Sequence, residues 1–279
     1  MKTPFYLFLL LLCLACQNNS STTSPSSEKP RELLRVEWER LLSSADLQGA
    51  FLIFDPQRNA FFSNDFQWCQ ERDLPASTYK IPHSMIALET GVVTDENTLF
   101  PWDGEARRLE IWEQDLNFRQ AFHYSCVPCY QSIARQIGPE RMREHLDQFD
   151  FGYMQFDSSS IDRFWLEGNS QINQWGQIDF LRRFYNGELP ISERTYGLMR
   201  ELMVIEDGPH YRLSGKSGWA IRDGHNSGWF VGYVEREEDV YFFASRMVPQ
   251  PGRDMEDFAS IRRSLTEEVL RDFLEINEG

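Results

Sequence analysis

Strand-like sequence lies at both ends of this chain, with helix-like sequence between, and that order limits the folds open to it. "GAFLIFDPQRNAFFS" (49–63) reads as strand, turn and strand: two apolar runs flank the turn-forming "DPQRN". "YRLSGKSGWAIR" (211–222) and "GWFVGYVEREEDVYFFASRM" (228–247) regain strand character, the second as a hairpin with the polar tip "EREED". From about Thr78 to Gly187 the period is helical. "IWEQDLNFRQAFHYS", "VPCYQSIARQIG", "PERMREHLDQF" and "INQWGQIDFLRRFYNGEL" carry apolar residues near a 3.6 repeat, with glycine or proline stops between several of them. A last amphipathic helix is expected over about 254–275. The expected fold class is α/β (α+β). An antiparallel sheet built from both chain ends is flanked by helices, and an all-helical lobe, about 82–188, is inserted into it. A cleft between the two lobes is the natural place for a ligand.

The chain has 279 residues, enough for a sizeable core, and its hydrophobic fraction of 41% is that of a globular protein. A net charge of −15 argues against nucleic acid as a partner, since a nucleic-acid binder would need a basic face. "MKTPFYLFLLLLCLAC" has one lysine and then an apolar run of signal-peptide length, too short for a stable membrane span. Residues 1–16 therefore read as an export signal and 17–31 as a polar linker, leaving 32–279 as the functional domain. Ala15-Cys16 resembles a bacterial lipoprotein processing site. On that reading Cys16 is lipidated and the protein is held at the membrane on the periplasmic side; plain secretion and a retained anchor are the alternatives. Cys126-Val127-Pro128-Cys129 is formally a C-x-x-C, but no thioredoxin-like strand–helix pattern precedes it. Both cysteines are expected to be unreactive packing residues on a buried helix.

Three short motifs carry chemistry. Ser77-Thr78-Tyr79-Lys80 is an S-x-x-K, which on a helix puts a hydroxyl and an amine on one face. A serine hydroxyl becomes a useful nucleophile when a base takes its proton, and a neutral lysine amine is such a base. Leu74-Pro75-Ala76 before it resembles a loop feeding a helix start, while Pro82 sits oddly for a helix interior. Lys216-Ser217-Gly218 lies on an expected strand, where a cation and a hydroxyl can hold a carboxylate and a glycine lets a ligand approach the edge. Ser125-Cys126-Val127 lies in the helical region. Ser125 can relay a proton, and Val127 makes an apolar wall that favours a neutral amine.

In their order, "PASTYKIP", "ETGV", "WDG", "WEQDLNFRQAF", "SCVPCYQSIAR", "FWLEG", "SGKSGW" and "GWFVGYVE" resemble the class D serine β-lactamases, from about Leu33 to Arg271. The resemblance implies a β-lactamase/transpeptidase-like fold and hydrolysis of penicillin-type β-lactams through an acyl-serine, giving antibiotic resistance. It implies Ser77 as nucleophile, Lys80 as an N6-carboxylated general base, Ser125 as proton relay and Lys216 as its partner. It further implies that Trp165 donates its indole N–H to the modified lysine and that Val127 and Leu166 wall the pocket. Ser217, Gly218 and Trp219 then serve substrate binding, with the backbone N–H groups of Ser77 and Trp219 as oxyanion hole. Arg262 is the expected carboxylate-binding arginine, with Arg263 adjacent to it. Carbon dioxide or bicarbonate is the only co-reactant implied, with no cofactor and no metal. β-Lactams are the expected partners, and a membrane enters only through a lipid anchor. Both monomer and homodimer are open.

Three positions depart from the family pattern: Phe151-Gly152-Tyr153 replaces Tyr-Gly-Asn, "WFVGY" ends in Tyr233 rather than tryptophan, and Tyr79 replaces phenylalanine. Taken singly, Trp165 reads as a core aromatic and Lys216 as a surface charge, and the five histidines, His83, His123, His145, His210 and His225, read as structural or exposed. The alternative function is a penicillin-sensing receptor-like domain that is acylated without turnover. A catalytically silent lipoprotein or a thiol protein built on Cys126 and Cys129 is the third class.

Overall fold

The structure, a computed structural model, describes Met1 and residues 29–222 and 224–275. The expected export signal with Cys16, and the linker up to residue 28, lie outside the described residues. The described chain opens with strand β1 (Arg31–Leu34), helix α1 (Glu39–Ser44) and the pair β2 (Leu47–Asp55) and β3 (Ala60–Ser63). Helix α2 (Lys80–Glu89) follows, then two short strands, β4 (Leu99–Phe100) and β5 (Leu116–Asn117). Next come helices α3 (Phe118–His123), α4 (Val127–Ile137), α5 (Pro139–Phe149), α6 (Gln174–Tyr185) and α7 (Glu193–Leu202). Strands β6 (Val204–Asp207), β7 (Arg212–Arg222), β8 (His225–Arg236) and β9 (Asp239–Pro249) and helix α8 (Phe258–Phe273) complete it.

Among the described residues the main sheet has seven strands in the order β1-β3-β2-β9-β8-β7-β6. Both chain ends build it, because β2 pairs with β9, for instance Leu52 with Ala244. Two expectations need correction. The sheet is not wholly antiparallel, since β1 runs parallel to β3 along Arg31–Leu34. The inserted lobe is not wholly helical, since β4 and β5 pair within it. Its "IWEQDLNFRQAFHYS" stretch also starts its helix late. Asn117 accepts from the Gln120 N–H while the Gln120 side chain accepts from the Asn117 N–H, so the helical turns begin only at Phe118.

Side chains alternate across the sheet as a pleat requires. Ala50, Leu52 and Phe54 of β2 and Trp229, Val231 and Tyr233 of β8 face one core, shared with α2, α4, α5 and α6. Phe51 and Ile53, with Phe230 and Val234, face a second core under α1 and α8. Burial on both faces is why these strands read as continuous apolar runs rather than alternating ones. Helix α2 is buried from Lys80 to Leu88, a central helix enclosed on all sides. Its Pro82 is no anomaly. The preceding turn, Ala76–Tyr79, is 3₁₀ and α-helix begins only at Lys80, so the missing N–H falls in the first α turn.

Candidate active site

The Ala76–Tyr79 turn is held from four directions. The Ala76 N–H donates to the Trp165 carbonyl at 2.9 Å, and the Trp229 indole donates to the Leu74 carbonyl at 3.0 Å. Thr78 Oγ1 donates to the Pro75 carbonyl at 2.7 Å and accepts from Gln177 Nε2 at 2.8 Å. Strand β7 closes the fourth side at Gly218, where an added Cβ would stand 3.0 Å from the Pro75 oxygen and 3.1 Å from Thr78 Cγ2. A side chain at Gly218 would force the Pro75–Thr78 turn back by a few tenths of an ångström. Ala76, just before Ser77, has φ +48°, and Ser125 has φ +54°; both are non-glycine residues in the left-handed region. Holding such a residue there costs about 1–3 kcal/mol, so the surrounding bonds must fix both turns.

Two serine–lysine pairs result. Lys80 Nζ lies 3.0 Å from Ser77 Oγ, and Lys216 Nζ lies 2.6 Å from Ser125 Oγ. Lys80 is fully buried, with its ammonium position 4.9 Å from the Tyr130 ring centroid. Burial, then the nearby Lys216 charge, hold the Lys80 amine well below the usual lysine range. Burial, then Arg262, bring Lys216 from 10.5 to about 7. Burial thus favours the neutral amine at Lys80, the form a base needs, and leaves Lys216 able to take or give a proton near its value of about 7.

The depression of Lys216 has a measurable consequence for stability. Between about 7 and 10.5 the unfolded chain holds a proton at Lys216 that the folded chain has released. Its contribution to stability is complete above 10.5 and is lost as pH falls toward 7. Relative to Lys216→Met, wild-type stability is expected to rise with pH through this window by up to about 1.4 kcal/mol per unit. Urea unfolding of both proteins measures the difference, and parallel curves would contradict the burial of the amine.

Trp165 is fully buried, and its Nε1 finds no hydrogen-bond partner among the described residues. Its ring stacks on Tyr79, with centroids 5.6 Å apart. Leu166 packs half-buried against the same core, and Val127, also half-buried, opens α4 two residues after Ser125. Across β7, Arg262 of α8 sits with its guanidinium 5.5 Å from the Trp219 ring. Gly228 makes the room, since a Cβ there would stand 3.1 Å from Arg262 Cδ. Arg262 is buried, and Nε and Nη1 have no partner among the described residues; desolvation lowers it to about 10. A buried guanidinium with unused donors is a ready carboxylate site. Arg263 is exposed and pairs with Glu267.

The structure thus brings Ser77, Lys80, Ser125, Lys216 and Gly218 together, with Ser217 between Lys216 and Gly218 on β7 and Trp219 next along the strand. Sequence reasoning missed Gly228, and it missed Arg108, whose guanidinium lies 6.0 Å from the other contacts' shared Trp219 ring. Of the departures from the family pattern, Tyr153 is exposed while Phe151 is buried, and the Tyr79 hydroxyl donates to Met142 Sδ at 3.0 Å.

Whether Cys126 and Cys129 are oxidised is open in the sequence; the structure joins them as a disulfide, with Cα atoms 5.4 Å apart, rather than leaving two free packing thiols. Cys126 is the N-cap of α4, outside the helix proper, so its side chain reaches across the first turn. That Cα separation is within the roughly 4.4–6.8 Å that a disulfide spans. The bridge sits between Ser125 and the first turn of α4 and closes only a four-residue loop. Replacing Cys126 by alanine and Cys129 by valine is expected to cost about 2 kcal/mol in urea unfolding. Turnover should stay within several-fold. A collapse of wild-type activity confined to reducing conditions would contradict a purely structural bridge.

The chain matches the family described as "Penicillin binding protein transpeptidase domain" over residues 50–274. It is similar to β-lactamase OXA-48 of Klebsiella pneumoniae, 38% identical over 236 residues, which cover 84% of this chain and 86% of that one. It is 34% identical to β-lactamase OXA-10 of Pseudomonas aeruginosa over 266 residues, 94% of this chain and 96% of that one. Among solved structures it resembles the class D β-lactamase YbXI from Nostoc, with TM-score 0.81 and 41% identity, covering 86% of this chain and 99% of that one. With a family match over most of its length and such relatives along nearly all of it, the chain belongs to the class D β-lactamases, within the penicillin-binding protein transpeptidase family.

Proposed function

We propose that this chain hydrolyses the β-lactam amide of penicillin-type antibiotics through an acyl-Ser77 intermediate and so gives resistance to them. The observation that carries the proposal is the pair of neighbouring contacts, Ser77–Lys80, which is buried, and Ser125–Lys216, which is half-buried. Arg262 and Ser217 hold the substrate carboxylate. Ser77 Oγ bonds the lactam carbonyl carbon and passes its proton toward Lys80. The backbone N–H groups of Ser77 and Trp219 face the developing oxyanion. The carbon–nitrogen bond breaks as Ser125 protonates the leaving nitrogen and is reprotonated from Lys216, which in turn regains the proton that Lys80 took from Ser77 and so leaves Lys80 free to act as base again. Water then attacks the ester with Lys80 as base, freeing Ser77 and the ring-opened acid.

The residues around Lys80 suit a carboxylated side chain. Its neutral amine bonds the carbon of carbon dioxide and gives one proton to solvent. A buried anion needs donors, and Trp165 Nε1 is a buried donor with no partner among the described residues. The modification supplies an anionic oxygen as proton acceptor in place of the neutral amine, and Val127 and Leu166 shield it from bulk water.

We also read residues 1–16 as an export signal and Cys16 as a lipidation site, with the tether ending by residue 30 rather than 31, because Arg31 is already paired in β1 at the start of the catalytic domain, which we place in the periplasm. The reading rests on the apolar run before Ala15-Cys16 and the polar stretch after it. Steady turnover of a chromogenic cephalosporin tests the activity. Continuous hydrolysis is expected, a single stoichiometric burst would mark a sensor, and no reaction would exclude both.

A further inference from the structure

His83 lies one turn beyond Lys80 on the same face of α2 and is fully buried. Three rings enclose it. Its imidazole makes edge contacts with Tyr130 and Trp165, at 5.1 Å in each case, and a tilted contact with Tyr79 at 5.3 Å. The Tyr130 ring is also the one beneath Lys80 Nζ, so one aromatic wall serves both side chains. Neither His83 nitrogen finds a hydrogen-bond partner among the described residues. Burial, then the Lys80 charge, push the imidazole well below its ordinary range, so it is neutral, with one N–H donor and one acceptor nitrogen.

Two unpartnered polar groups on one buried ring are rare in folded proteins. An aliphatic side chain would fill the same volume without leaving them. Beside His83, the Trp165 indole N–H is unpartnered in the same way. Two orphan donors whose rings touch, both next to a buried lysine, share one missing acceptor. The Tyr130 hydroxyl does not serve, because it bonds Ser84 Oγ at 2.6 Å.

We propose that His83 is a positioning residue for the carboxylated Lys80, its neutral ring N–H donating to one carboxylate oxygen while Trp165 Nε1 donates to the same group. The proposal rests on the carboxylated-lysine mechanism above. His83 touches no substrate and moves no proton; it fixes the orientation of the base and holds the modification in place.

The test uses the purified full chain with ¹³C-bicarbonate, reading the carbamate resonance by NMR and the bicarbonate concentration that half-restores turnover after degassing at acidic pH. Wild type, His83→Leu, His83→Met and His83→Asn are compared, with thermal unfolding to establish that each is folded. Loss of one donor to a charged group is expected to raise the half-restoring concentration of His83→Leu and His83→Met by roughly tenfold or more. Their carbamate signal should weaken in parallel. His83→Asn, which keeps an N–H donor, should recover most of the wild-type behaviour. A merely structural histidine would alter unfolding and leave the bicarbonate midpoint in place. A wild-type carbamate signal with an unchanged midpoint in both apolar variants overturns the role of His83 alone. Absence of a carbamate signal in the wild type overturns the carboxylated-lysine mechanism, and this role with it.

Discussion

Ser77→Ala is expected to lower β-lactam turnover by on the order of 10⁴-fold or more and to remove the covalent penicillin adduct. Ser77 Oγ is the hydroxyl bonded by the buried Lys80 amine, on a turn that Ala76, Thr78, Gln177 and Gly218 hold in place. The other paired hydroxyl, Ser125, bonds the second lysine and sits in its own constrained turn. Removing it should slow protonation of the leaving nitrogen while an adduct still forms. Intact-mass measurement after mixing with penicillin separates the two variants. An undiminished adduct on Ser77→Ala would transfer the nucleophile's role elsewhere.

The second large effect is expected at Trp165. Deacylation requires a base for water, and general-base assistance is worth about 10²–10⁴-fold. Trp165→Ala removes the orphan donor, so on the proposed carboxylation of Lys80 the modified side chain would lose a partner, and deacylation is expected to fall within that range while acylation falls less. The acyl-enzyme should accumulate, and added bicarbonate should partly restore turnover. Truncating a fully buried tryptophan also costs about 3–5 kcal/mol, so Trp165→Phe serves as the control that keeps most of the ring volume and lacks the N–H. If both variants deacylate at the wild-type rate, the indole N–H has no part in the reaction.

Much of this was legible before any coordinates, for physical reasons. β2, β8 and β9 are covered on both faces, so they announce themselves as apolar runs, and their position at the chain ends gave the architecture. β1 and β6 did not announce themselves: "RELL" is wholly exposed and "VIED" lies at the far edge, so neither has an apolar pattern, and pairing alone makes them strands. The helix expected within 111–125 is shortened to Phe118–His123, because a local capping box at Asn117 outweighs the period of the preceding residues. Ser77, Lys80, Ser125 and Lys216 were readable because their chemistry is tied to short spacings. Arg262 could be told from Arg263 only through burial against Trp219. The Cys126–Cys129 bridge depended on where α4 begins, and the isolation of His83 depended on three aromatic rings from distant segments. Neither is written in a spacing.

The central claim is that Ser77 is acylated and then released by a base at Lys80. Its most direct test is a time course of intact mass after mixing the chain with a penicillin, with peptide mapping of any adduct. The account predicts an adduct of the full drug mass on the peptide carrying Ser77, appearing within the first turnovers and vanishing as substrate is exhausted and ring-opened product accumulates. An adduct that persists at one per chain without product, or hydrolysis with no adduct on Ser77, would contradict it.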